Sequence, residues 1–91
     1  MTVAMDGLIE VDERGVARVA GTRVKVMHVA RDGGGEATPG ELSRRFPHLS
    51  LAQVHAALSY YHAHRAAVDA EAAENDRVAE QMRAAAGTRV L

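Results

Sequence analysis

The side chains with the widest chemical repertoire are five histidines, His28, His48, His55, His62 and His64. A metal site built on one helix needs two ligands three or four residues apart, so that both reach the same ion. His55 and His62 are seven positions apart, about 10.5 Å along a helix. His62 and His64 project from different faces, and no His-x-x-x-His or His-x-x-Glu pair occurs. His62 leans toward an apolar stripe and reads as a core or interface group, and His48 as a residue that steadies a turn. Nucleophilic catalysis is no better served. There is no cysteine, and Ser, His and acidic residues never occur in an order that sets a nucleophile against its base. Gly33-Gly34-Gly35 lacks the Gly-Lys-Ser/Thr continuation and the buried feeding strand of a phosphate loop, so it reads as a flexible link. The expectation is a chain that is no enzyme and holds no metal or cofactor.

Binding chemistry is better represented. Arg44 and Arg45, with Arg65, are candidates for phosphate contacts, and Ser50, Gln53, His55 and Tyr60 are candidates for reading DNA near the start of a helix. The same arginines serve equally as a solvated helix face, and Tyr60 over small alanines suits a protein contact. For a protein partner the candidates are Val68, Ala72, Asn75, Ala79 and Met82. Together with Ala86 they recur at alternating spacings of four and three, a narrow seam of coiled-coil period with a polar residue in it. Such a seam is too weak to hold itself and needs the core, a twin or a partner.

The elements that must position these groups are legible in part. Leu8-Ile9-Glu10-Val11-Asp12 and Val16-Ala17-Arg18-Val19 alternate apolar with polar around Glu13-Arg14-Gly15, the pattern of a hairpin. A two-stranded ribbon is marginal alone and must rest on helices or on another strand. Val24-Lys25-Val26 reads as a short third extended piece. Val26 to Asp32 fits a short helix ended by the glycine triplet. Thr38-Pro39-Gly40-Glu41 is a capping box with proline at the first helical position, and Pro47 stops that helix near Phe46. Ser50-Leu51-Ala52-Gln53 is a second capping box, with Leu49 and Val54 placed as a hydrophobic staple. The helix it opens puts Leu51, Val54, Leu58, Tyr61 and Arg65 on one stripe and Ala52, Gln53, Ala56, Tyr60 and Ala63 on the opposite face. Ala66 to Ala86 contains no glycine or proline and reads as helical, with its continuity from the preceding helix left open. Two capped helices joined by Phe46-Pro47-His48-Leu49-Ser50 have the length and punctuation of a helix-turn-helix. Two helices closing a small core have the same punctuation.

Composition bounds the rest. The chain of 91 residues is expected to form one folding domain: a ribbon over residues 1–25, a three-helix core over 26–65, and a helix with its tail over 66–91. The fold class is mainly α with a small N-terminal β-ribbon. One Phe and two Tyr provide little core bulk, which makes oligomerisation a natural remedy. Net charge is −1, which does not itself advertise nucleic-acid binding; only residues 38–65 are mildly basic, with Arg44, Arg45 and Arg65 against Glu41. The absence of cysteine, of a signal-like leader and of any long apolar run leads to the expectation of a cytoplasmic protein without membrane attachment.

The run Gly15-Val16-Ala17-Arg18-Val19-Ala20-Gly21-Thr22-Arg23-Val24-Lys25-Val26, followed by Thr38-Pro39-Gly40-Glu41-Leu42 and by Phe46-Pro47-His48-Leu49-Ser50-Leu51-Ala52-Gln53-Val54-His55-Ala56-Ala57-Leu58, resembles the domain of unknown function 433 family over roughly residues 8 to 70. The resemblance implies a homeodomain-like three-helix core behind a β-ribbon, commonly a homodimer. Some members resemble VapB-type antitoxins, which bind a toxin similar to PIN-domain ribonucleases and act on operator DNA; others have no assigned role. The expectation is therefore an antitoxin-like regulator with a toxin protein and operator DNA as partners. The alternative is a homo-oligomeric protein-protein interaction module without DNA binding. Within the Gly-Thr-Arg signature, Gly21 suits a turn, Thr22 a hydroxyl for freed amides, and Arg23 a fork for carbonyls or a carboxylate. Asp32-Gly33-Gly34-Gly35-Glu36 departs from the family, whose members usually continue an apolar helix there and end it with glycine, so the first helix is expected to be short or mobile.

Overall fold

The computed structural model describes residues 2–32 and 36–89. Three short strands, β1 (Thr2–Ala4), β2 (Ile9–Val11) and β3 (Ala17–Val19), form an antiparallel sheet in the order β1-β2-β3. Four helices follow: α1 (Val26–Arg31), α2 (Pro39–Arg45), α3 (Leu51–Ala63) and α4 (Arg65–Arg89). The protein is thus mainly helical with a small N-terminal sheet.

The sheet has one strand more than the expected ribbon. Thr2 pairs with Val11, Val3 with Glu10 and Ala4 with Ile9. The connecting turn carries Asp6-Gly7, and the Leu8 amide donates to the Met5 carbonyl at 3.0 Å. Asp6 and Gly7 have φ of 56° and 82°, the positive values that a tight hairpin turn demands at both central positions and that an Asp-Gly pair tolerates best. The second hairpin forms where expected. Gly15 takes φ 83°, and the Asp12 carboxylate accepts from the amides of Arg14 at 2.9 Å and Val16 at 3.0 Å and from the Arg18 guanidinium at 2.8 Å. Those donors, Arg18 foremost, hold the Asp12 carboxyl below its ordinary range. The third extended piece expected at Val24-Lys25-Val26 shrinks to a single bridge between Arg18 and Lys25, because Val26 already opens α1.

Both capping boxes are formed. The Glu41 amide donates to Thr38 Oγ1 at 3.2 Å and the Thr38 amide to Glu41 Oε1 at 3.2 Å. At α3 the Gln53 amide donates to Ser50 Oγ at 3.1 Å and the Ser50 amide to Gln53 Oε1 at 2.6 Å. α2 stops at Arg45, with Phe46 out of the helical region ahead of Pro47. α1 ends at Arg31 with Asp32 extended; the glycine triplet, expected to end this helix, lies outside the described residues.

The core is one apolar cluster to which the sheet and all four helices contribute. Ile9, Ala17 and Val19 come from the sheet, Val26, Met27 and Val29 from α1, Leu42 from α2, Val54 and Ala57 from α3, and Val68 and Ala72 from α4. Leu49 and Val54, the expected staple, are 4% and 0% exposed. The phase of α3 departs from its hydrophobic stripe. Its buried residues are Val54, Ala56, Ala57 and Tyr60, Leu58 and Tyr61 are half-buried, and Leu51 is 51% exposed. α3 packs against α1, α2, α4 and the sheet at once, so its inward arc is broad and centred on Ala57. Alanines belong there because closely packed helix axes leave little room for larger side chains.

α3 and α4 are separate helices although neither glycine nor proline divides them. His64 breaks the register at φ −129° and ψ 38°. Its amide donates to the carbonyls of Tyr60 at 2.9 Å and Tyr61 at 3.1 Å, closing α3, and its own carbonyl accepts from the Val68 amide at 3.0 Å, opening α4. The His64 ring stacks on Tyr60 with centroids 4.1 Å apart, which covers the joint.

Candidate functional site

Two surfaces collect the groups able to bind something: the outer side of the α2 and α3 pair, and the far half of α4. On the first, the exposed side chains of α3 are Leu51, Ala52, His55, Ser59, His62 and Ala63. Among the residues singled out for DNA, Arg44 and His55 are exposed. Arg45 is exposed too, but its Nη1 donates to Asp32 Oδ2 at 2.8 Å. Ser50 and Gln53 each spend a side-chain oxygen on accepting the other's amide, which leaves the Ser50 hydroxyl hydrogen and the Gln53 amino group as their donors. Tyr60 is a correction: it is 8% exposed and stacked on His64, so it does not face outward. Its place is set by the α3 phase, which turns the Ala56 and Tyr60 side inward. Of the two readings of His62, core or interface, its exposure removes the first, and His48 is exposed as well.

Arg65 lies 4.0 Å from Asp69 and 5.6 Å from the centre of the Tyr61 ring, whose hydroxyl donates to Asp69 at 2.9 Å. This arginine therefore stands in its own local network. In the β3 to α1 turn, Gly21 has φ 76°, and the Thr22 hydroxyl donates to the Val19 carbonyl at 2.8 Å and accepts from the Val24 amide at 3.1 Å. Arg23 is exposed and makes no hydrogen bond or ion pair among the described residues, so the carbonyl-binding fork expected of it is not made.

The second surface belongs to a helix of 25 residues. Of its seam, Val68 and Ala72 are 4% and 7% exposed. Both are used up in the protein's own core, against α1 and α3, and this corrects their assignment as contacts for a partner. The body of the protein grips α4 as far as Asp76, where Arg31 at the end of α1 places two guanidinium nitrogens on the carboxylate at 3.1 and 2.9 Å. Asn75 is exposed and Ala79 half-buried. Beyond the clamp, Met82 is 67% exposed, and Val78, which the seam spacing does not include, is 41% exposed. Val78 adjoins Ala79 in sequence and sits one turn before Met82, a neighbourhood visible only once the free stretch of the helix is known.

The electrostatics of the α4 root were not legible in the sequence. Glu71 is half-buried, and its Oε2 is buried with no hydrogen-bond partner among the described residues. Burial pushes this carboxyl above its ordinary range, against the pull of Lys25 and Arg18. No cluster of three or more His, Cys, Asp or Glu that could hold a metal ion occurs among the described residues. No helix among them is long and apolar enough to cross a membrane.

Comparison with known proteins returns one finding. The family model described as Protein of unknown function (DUF433) matches residues 13–61. That span takes in β3, α1, α2 and α3 as far as Tyr61, and leaves β1, β2 and all of α4 outside it. Neither a curated protein nor a solved structure matches the chain.

Proposed function

The chain belongs to the DUF433 family, and from that premise we propose that it is an antitoxin-like regulator, a non-catalytic module that docks on a protein partner through the far half of α4. The observation that carries this reading is the projecting stretch beyond the Asp76 clamp, with Val78 at 41% and Met82 at 67% exposure. Apolar side chains of that size standing in water on a helix clear of the core favour a groove that covers them. The partner class, a toxin similar to PIN-domain ribonucleases, comes from the family resemblance alone. The test is co-purification and calorimetry with the product of the adjacent reading frame. Met82→Asp should weaken the complex by about ten-fold or more, since a charge in an apolar contact costs more than 1.4 kcal/mol. A wild-type chain that forms no complex with that product sinks the reading.

In this proposal α1, α2 and α3 act as a homeodomain-like core, with α2 and α3 as its helix-turn-helix. Operator DNA would meet Arg44, His55 and Ser59 on the exposed side. The alternative, a protein-protein module without DNA binding, is favoured by two details: Tyr60 is buried and the Gln53 carbonyl is committed to the Ser50 amide. A mobility-shift assay on the upstream region at about 50 mM salt, where phosphate contacts are screened least, decides between them. Retardation that Arg44→Ala reduces supports operator binding, and no retardation supports the alternative.

A further inference from the structure

The free stretch of α4 is complementary to itself. Ala72, Asn75, Ala79, Met82 and Ala86 fall at the inner positions of a seven-residue pattern, so Asp76 and Arg83 occupy one flank of the seam and Val78 and Ala85 the other. When two such helices lie antiparallel about a two-fold axis between Glu80 and Gln81, each Ala79 faces a Met82 of the second copy and each Asn75 faces an Ala86. In that register alone, Asp76 comes opposite Arg83 of the second copy, and Arg83 opposite its Asp76, on one flank. Val78 comes opposite Ala85 on the other. Sliding the helices by one heptad sets Arg83 against Arg83 and loses the match. A two-fold interface uses the same patch on both chains, and this patch supplies both signs and both apolar halves.

Resting on the docking role given above to this surface, we propose that its occupant in the unpartnered protein is a second copy of the chain, paired antiparallel through residues 75–86. Met82 is 67% exposed and Val78 41% in the single chain, and the pairing covers both. Asp76 already accepts from Arg31, and Arg83 from the adjoining turn already pairs with Glu80. Neither pair is broken by the second contact, because a carboxylate has about four lone-pair sites and a guanidinium five donors. The new pairs extend these into a network across the interface. A protein partner that takes the same apolar strip must displace the second copy.

The test is sedimentation equilibrium of the full chain from low to high micromolar concentration, where mass action turns a self-association into a rising apparent mass. The wild type should pass from monomer toward dimer. Arg83→Asp, which leaves the Arg31 clamp intact, sets like charges face to face twice and should weaken association by about ten-fold or more. The exchange of both residues, Asp76→Arg with Arg83→Asp, made together with Arg31→Glu so that residue 76 keeps an oppositely charged partner on α1, should restore it. Orientation is read with introduced thiols, since the chain has no cysteine of its own. Asn75→Cys mixed with Ala86→Cys should cross-link, and neither should cross-link with itself. A wild type that stays monomeric, an exchange that fails to restore association, or self-linking of Asn75→Cys overturns the pairing. None of these results bears on complex formation with the adjacent gene product, and loss of that complex alone leaves the pairing standing.

Discussion

At the residue scale, the difference between an apolar side chain and a buried one is the main lesson. Leu42 and Leu58 have the same side chain on neighbouring helices, yet Leu42 is 1% exposed and Leu58 is only half-buried at the edge of the cluster. Leu42→Ala should therefore cost about 2 to 5 kcal/mol, the range for a leucine removed from a close-packed interior, and Leu58→Ala clearly less. Urea unfolding of the two variants measures both, and equal losses would mean that α3 turns a different face inward. The same phase explains why Tyr60 is withdrawn from the surface while Leu51 stands in it. Polarity ranks residues by what they would prefer, whereas burial depends on which neighbours arrive.

At the element scale, local chemistry sets helix starts and long-range packing sets helix orientation. The two capping boxes, the proline stop and the Gly15 turn involve residues within four positions of one another, so they are readable without any knowledge of the fold. Asp6-Gly7 belongs to the same class: a signal present in the sequence that implies a β1 strand the alternation of residues 8 to 19 does not show. The seating of α4 is of the other kind. Its root carries Glu71, whose carboxyl is raised above the ordinary 4.5 mainly by burial, with Lys25 and Arg18 opposing. The folded state then holds a proton more tightly than the unfolded chain, so stability falls as pH rises from about that value through the raised one. Glu71→Gln, which has no charge to desolvate, should raise the melting temperature at pH 7 and flatten its decline above pH 4.5. An unchanged pH profile in thermal melts would show that Glu71 remains hydrated when α4 is docked.

At the scale of the whole molecule, the shape is dominated by one helix. The radius of gyration is 14.7 Å, against about 12 Å for a compact chain of this length, and the extents are 50 × 29 × 23 Å. A 25-residue helix is about 37 Å long, and among the described residues its last buried one is Ala72. Ending the chain after Arg77 keeps every residue that is buried among the described ones, and the Arg31 clamp. The shortened chain should melt within a few degrees of the full one, as expected when only solvated surface is removed, yet lose the association and partner binding assigned to α4. A collapse of the melting temperature in calorimetry would instead make the far half of α4 part of the fold.

The sequence by itself determined the class of the protein, both hairpin and helix punctuation, the two caps and the family, because each depends on residues a few positions apart. Only the tertiary structure decided which face of α3 turns inward, where α4 parts from α3, and how much of the α4 seam is already spent. Those outcomes depend on elements far apart in the chain meeting at one cluster. Among residues 68 to 86, a single even spacing of small and apolar side chains runs through two physical roles. Val68 and Ala72 hold the helix to its own core, and the stretch past Asp76 is left to hold something else.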